Sequence, residues 1–242
     1  MFEPVKAGLG EYLRGFYDQV APTTRALEEF AERGFPLAVS WAPTRMVDKA
    51  EEMLAAYQRN DTHQGSTRPP SLPVILVAVS KDWVPAERSF TAQIADPVSV
   101  TFPHDPKHRL FRMRTVAGDV RTQVVFFASD EPTAKSLAAQ FALYLDSPSR
   151  RRFQAAYPFA GLEHAFPAQI EVPDNPAMAI ATGNKNLTVL AVNLTLKVTV
   201  PLFTAPKPGE PHDGQGVPGT DDPAGYPLVD DVDALEEDIT WH

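Results

Sequence analysis

Apolar residues recur at helical spacing from the start of the chain. Val5, Leu9, Tyr12, Leu13, Phe16 and Val20 share one face, which predicts a helix over about residues 2–20, ended by Pro22. A second helix is predicted from about Thr24 to Arg33, with Gly34 at the position where glycine often follows a helix. Phe35 to Trp41 reads as a short strand. Thr44 is placed to cap a third helix whose buried stripe is Val47, Ala50, Leu54 and Tyr57. Asn60 to Ser71 is polar, contains Pro69-Pro70, and reads as a loop.

Beyond the loop the pattern becomes that of strands. Pro73 to Ser80 is a continuous apolar run rich in β-branched residues, which predicts a buried strand. A further strand is expected near Val98 to Phe102. Leu110–Thr115 and Val120–Ala128 flank Ala117-Gly118-Asp119, which suggests a hairpin. Ser129-Asp130-Glu131-Pro132 then opens a helix in which Ala134, Leu137, Ala138, Phe141 and Leu145 form the apolar stripe.

Leu187 to Phe203 is one long alternating segment. Leu190, Val192, Leu194, Leu196, Val198 and Val200 face one way, and Asn193, Thr195, Lys197 and Thr199 the other. The segment exceeds the usual strand of about 3–10 residues. It is expected either to bend or to reach a neighbouring subunit, because a long bare edge invites aggregation. The six apolar residues are therefore candidates for an assembly interface.

Together these elements predict an α+β protein: a mainly antiparallel sheet with packed helices, a helical N-terminal third and an extended acidic C-terminal tail. The expected regions are a helical part at 1–72, an α+β core at 73–203 and a flexible Pro/Gly-rich tail at 204–242.

Charge sharpens that division. The chain of 242 residues has a net charge of −9. Residues 204–242 hold ten acidic groups and one basic group, Lys207, so the remainder balances at zero. The folded part then has no global field to draw in nucleic acid. Within the tail, Val232, Leu235, Ile239 and Trp241 form an apolar set behind Asp230-Asp231, a candidate docking segment for a neighbour. A purely solubilising acidic tail is the competing reading. There is no cysteine, which excludes disulfides and thiolate metal sites. The N-terminus shows no basic region followed by an apolar run, and no stretch reaches the length needed to span a bilayer, so a soluble, cytosolic product with no membrane partner is expected.

Chemical motifs are sparse. Gly214, Gly216 and Gly219 match a dinucleotide-binding spacing, but no strand–helix unit surrounds them, so no cofactor is expected. His104, Asp105 and His108 offer ligand atoms, yet Pro103 and Pro106 keep the histidines off a common helical face, and no metal is expected. Arg150, Arg151 and Arg152 could grip phosphates or an acidic protein surface. They could also be a solvated turn acting on a helix C-terminus; because the folded part is neutral, that turn or a protein contact is favoured over DNA, and the three arginines join the candidate assembly interface.

The segment GDVRTQVVFFASDEPTAKSLAAQFALYL, followed later by NLTVLAVNLTLKVTVPLF, resembles the tail-terminator and tail-completion (neck, head–tail connector) proteins of tailed bacteriophages. The resemblance implies a small α+β domain with its helices on one sheet. It also implies a non-enzymatic virion protein, assembled in the host cytoplasm, that closes with copies of itself into a ring, commonly a hexamer. Its further partners would be other neck or tail proteins, with DNA passing through as cargo. The longer helical N-terminus and the acidic tail depart from that family. Another connector or baseplate component, an adaptor using its acidic segment as ligand, and a small-molecule enzyme are the alternatives.

Overall fold

The structure is a computed structural model that describes residues 2–42, 72–86, 93–171, 175–208, 210 and 213–214. The helix expected from Thr44, the loop at 60–71 and the candidate docking residues Val232, Leu235, Ile239 and Trp241 lie outside the described residues. Described helices are α1 (Glu3–Tyr17), α2 (Arg25–Arg33), α3 (Phe35–Ala38) and α4 (Glu131–Asp146). Described strands are β1 (Val39–Trp41), β2 (Val74–Val79), β3 (Val84–Pro85), β4 (Ile94–Thr101), β5 (Leu110–Ala128), β6 (Arg152–Phe159), β7 (Leu162–Glu171), β8 (Met178–Ile180) and β9 (Thr188–Thr204).

The chain forms two units. The first comprises Met1–Gln93, Thr115–Pro158 and Glu163–Pro201; the second comprises Ile94–Arg114, Phe159–Leu162 and Leu202–His242. The fold class is α+β, with a mixed sheet ordered β1-β2-β5-β9-β7-β6. β1 runs parallel to β2, whereas β2 on β5 and β7 and β8 on β9 are antiparallel.

In the first unit, caps set the helix ends. The Thr24 hydroxyl accepts the Leu27 N–H at the start of α2. The Tyr17 hydroxyl reaches the Phe30 and Ala31 carbonyls and accepts the Gly34 N–H, satisfying backbone groups at the end of α2. The Asp130 carboxylate accepts the Thr133 N–H at the start of α4, and this hydrogen bond lowers its pKa. Apolar stripes of α1, α2 and α4 meet one face of the sheet. Phe141 is fully buried between Phe16 and Phe126, at ring separations of 5.0 and 5.6 Å. The α1–α2 connection is tied to α4 by Gln140, which bonds both the N–H and the carbonyl of Ala21.

Three expectations need correction. Phe35–Trp41 is half helix: α3 occupies Phe35–Ala38, and the strand begins at Val39. The hairpin expected at Ala117-Gly118-Asp119 is absent, because β5 runs unbroken through it. Gly118 serves a close approach there: a Cβ would lie 1.9 Å from the Trp83 ring, and β3 pairs alongside at Gly118 and Asp119. Finally, β9 is not a bare edge. It lies between β5 and β7 within its own sheet, so its length is used internally.

The β6–β7 hairpin had no counterpart in the sequence reading. Phe153, Ala155 and Tyr157 alternate inward along β6. Ala160 and Gly161 both have positive φ, 55° and 82°, as the two-residue turn requires.

Candidate docking surfaces

The candidate assembly face of β9 is occupied by the protein's own core. Leu190, Val192, Leu194, Leu196, Val198 and Val200 are all buried among side chains of α1, α4 and the neighbouring strands. Nothing of that face is left for a second subunit, so its assignment as an interface is withdrawn. The arginine run divides three ways. Arg151 donates to the Leu145 and Asp146 carbonyls, capping the C-terminus of α4. The Arg150 guanidinium lies over the Tyr144 ring at 4.7 Å. Arg152 is exposed on β6.

The opposite face of the sheet in the first unit changes character along its length. At one end Val74, Leu76, Val125, Phe127, Val189 and Ala191 form a small apolar cluster. Farther along, side chains on the same pleat become polar. Gln123 donates to the Asn193 side chain at 3.0 Å. The Lys197 ammonium lies 3.6 Å from Asp119 and 3.5 Å from Glu171, with its side chain only 9% exposed. Strands β5, β9 and β7 are thereby joined by one buried cation between two carboxylates. Removing that cation would leave the largely buried Asp119 facing the partly exposed Glu171 with no opposite charge between them. The arrangement ties the three strands together through charge.

The second unit has its own small core. Phe102, Phe111, Phe159 and Phe203 contact one another, with Phe159 and Phe203 stacked at 4.8 Å. The loop after β4 closes over it. Asp105, 1% exposed, accepts the backbone N–H of Arg109 at 2.9 Å and two guanidinium donors at 3.0 and 2.8 Å. The Arg109 side chain holds the Asp105 carboxyl down at about 2, against the opposing pull of burial. The same guanidinium lies over Phe111 at 4.9 Å. Asp105 is thus committed to Arg109, while His104 and His108 stand exposed on the loop surface. The carboxylate between the two histidines is paired with a cation of the chain itself.

Two features of this unit face outward. β4 pairs with β5 and no other described strand, and most of its residues on both faces are exposed. Beside the β4–β5 pair lies a cleft of about 440 Å³, lined in part by Ser99, Leu110, Arg112, Pro206, Lys207 and Glu210. Gly214, the last described residue, packs against the Lys107–Arg109 loop: a Cβ there would come within 2.8 Å of Lys107. From the dinucleotide-like spacing, Gly214 alone lies within the described residues, and it has φ +79°.

Among the described residues no helix is long and apolar enough to cross a membrane. No family model matches the chain, and no curated protein matches it.

Proposed function

We propose that this chain is a structural subunit of a tailed-phage virion, closing with copies of itself into a ring as a tail-terminator or neck protein. The observation that carries the reading is β4. It is an eight-residue strand that, among the described residues, pairs with β5 alone and is mostly exposed on both faces, in a unit stabilised by its own aromatic core. An open strand of this kind offers main-chain acceptors, and donors everywhere but at Pro97, to a second chain. The α+β fold with helices on one face of a sheet agrees with the resemblance carried by residues 118–145 and 186–203. Other connector or baseplate components share the same logic.

The mechanism is geometric. Repeating one contact by rotation closes a ring whose bore is set by subunit size, and that ring caps or joins tubes. The proposed partners are further copies of the chain and other neck or tail proteins, in the virion and, before it, in the host cytoplasm. No catalytic step is assigned. Light scattering of the purified chain, with negative-stain imaging, tests the reading. Closed rings of defined mass are expected at micromolar concentration. A single-chain mass throughout that range, with no rings in the images, would remove the basis for it.

A further inference from the structure

The cleft of the second unit carries an inference independent of ring formation. Its β5 side presents Leu110 and Arg112, and Arg114 follows on the same face of that strand. Its other side presents Pro206 and Lys207 from the segment after β9. Arg112, Arg114, Lys107 and Lys207 are all exposed. Of the nearby carboxylates, Asp105 is consumed by Arg109, whereas Glu210, which accepts the Lys207 backbone N–H at 2.9 Å, and Asp213 keep their charge, so the four cations outnumber them two to one. The surface therefore offers cations beside apolar lining, which suits a segment that is both acidic and partly apolar.

Such a segment begins beside it. The described chain ends at Gly214 against the Lys107–Arg109 loop. Residues 215–242 contain eight carboxylates, no lysine and no arginine, interleaved with Val232, Leu235 and Ile239. Asp221 lies seven residues beyond Gly214, a reach of up to about 23 Å. A segment tethered so closely meets the cleft at an effective concentration on the order of millimolar, well above any untethered partner.

We infer that the Arg112–Lys207 cleft is the docking site of this chain's own acidic C-terminal segment, Asp221 to Asp238. Docking is electrostatic at the arginines and apolar at Leu110 and Pro206. It leaves the basic surface covered in the isolated subunit, so an acidic partner must displace the segment to reach it.

Zero-length carbodiimide coupling of the full chain tests this, with peptide mapping and an equal mixture of ¹⁴N- and ¹⁵N-labelled protein. Lys207 should form amides with carboxylates of residues 221–238 within one chain. Their yield should exceed that at Lys81 and Lys185 of the first unit by about tenfold, as tethered docking requires. The doubly charge-reversed variant Arg112→Glu/Arg114→Glu should lose most of that excess. If this variant does not fold, replacing Asp230, Asp231 and Asp233 by Asn should lower coupling at the remaining tail carboxylates instead. Equal yields at Lys207, Lys81 and Lys185 would overturn the inference, as would coupling undiminished in the variants. Amides joining differently labelled chains would overturn it too, by making a second copy the occupant.

Discussion

Asp105 and Arg109 form a two-pronged ion pair across four residues of a loop that contains no helix, with guanidinium donors at 2.8 and 3.0 Å from the two carboxylate oxygens. Pro103 and Pro106 exclude a helix there, so the turn is held by the pair and by the carboxylate's bond to the Arg109 N–H. It closes one end of the second unit's aromatic core.

The pair sets a pH dependence. The folded-state pKa of Asp105, about 2, lies below its ordinary value of 3.8. A depressed carboxylate stabilises the fold fully above the unfolded pKa, and that stability is lost as pH falls through the folded one. Asp105→Asn should therefore cost about 2 kcal/mol at pH 7. The gap between wild type and variant should shrink to about half by pH 3. Urea denaturation at pH 7, 4 and 3 checks this. A gap that stays constant with pH would show that the lost stability is not electrostatic.

Phe141→Ala should cost about 3–5 kcal/mol, the range for emptying a fully buried aromatic site. Phe141 touches Phe16 on α1 and Phe126 on β5, so its loss loosens helix and sheet together. Chemical denaturation measures it, and a change below about 1 kcal/mol would mean the site collapses without a cavity.

Much of this core was legible in the sequence, because its signals are local. Thr24 and Asp130 mark helix starts through bonds to residues three positions on, and Gly34 marks a helix end by its positive φ. The stripes of α1 and α4 follow from spacing alone. What was not legible depends on distant partners. Gly118 beside Asp119 has the chemistry of a turn, and the side chain that makes it a strand glycine, Trp83, is 35 residues earlier. Pro158 and Pro167 interrupt the alternation of β6 and β7, which hid the hairpin. The length of β9 is legible, but not that β5 and β7 flank it, so a core face has the sequence pattern of an interface. The Asp105–Arg109 spacing signals an ion pair on a helix, and no helix exists there.

Gly118→Ala should displace the Trp83 ring, since the new methyl would overlap its far edge. The ring is 39% exposed and can swing outward, so the cost should be moderate, about 1 kcal/mol. A red shift in tryptophan emission, absent when Trp83 is also replaced by Phe, is the expected signature. An unchanged spectrum would mean that the backbone, not the ring, gives way.

Lys197→Met should destabilise the first unit by about 3 kcal/mol, because it leaves Asp119 and Glu171 facing each other without the cation between them. Adding Asp119→Asn to that variant should recover part of the loss. Additive effects in the double-mutant cycle would show that the three groups do not act as a unit.

The last prediction concerns assembly. Since β9 lies inside its own sheet, a proline at Thr195 would damage the fold and report nothing about rings. β4 provides a cleaner probe. Val98 is 39% exposed near the middle of that strand and lies outside both buried clusters. Val98→Asp should change the stability of the isolated subunit by less than about 0.5 kcal/mol, as surface substitutions usually do. If β4 receives a second chain, the same carboxylate enters the contact, where it must lose water without a partner. Ring formation should then need at least about tenfold more protein, equivalent to 1.4 kcal/mol per contact. The comparison is made by light scattering over a dilution series, with thermal melting as the control for folding. A variant of normal melting temperature that assembles at the wild-type concentration would take β4 out of the interface.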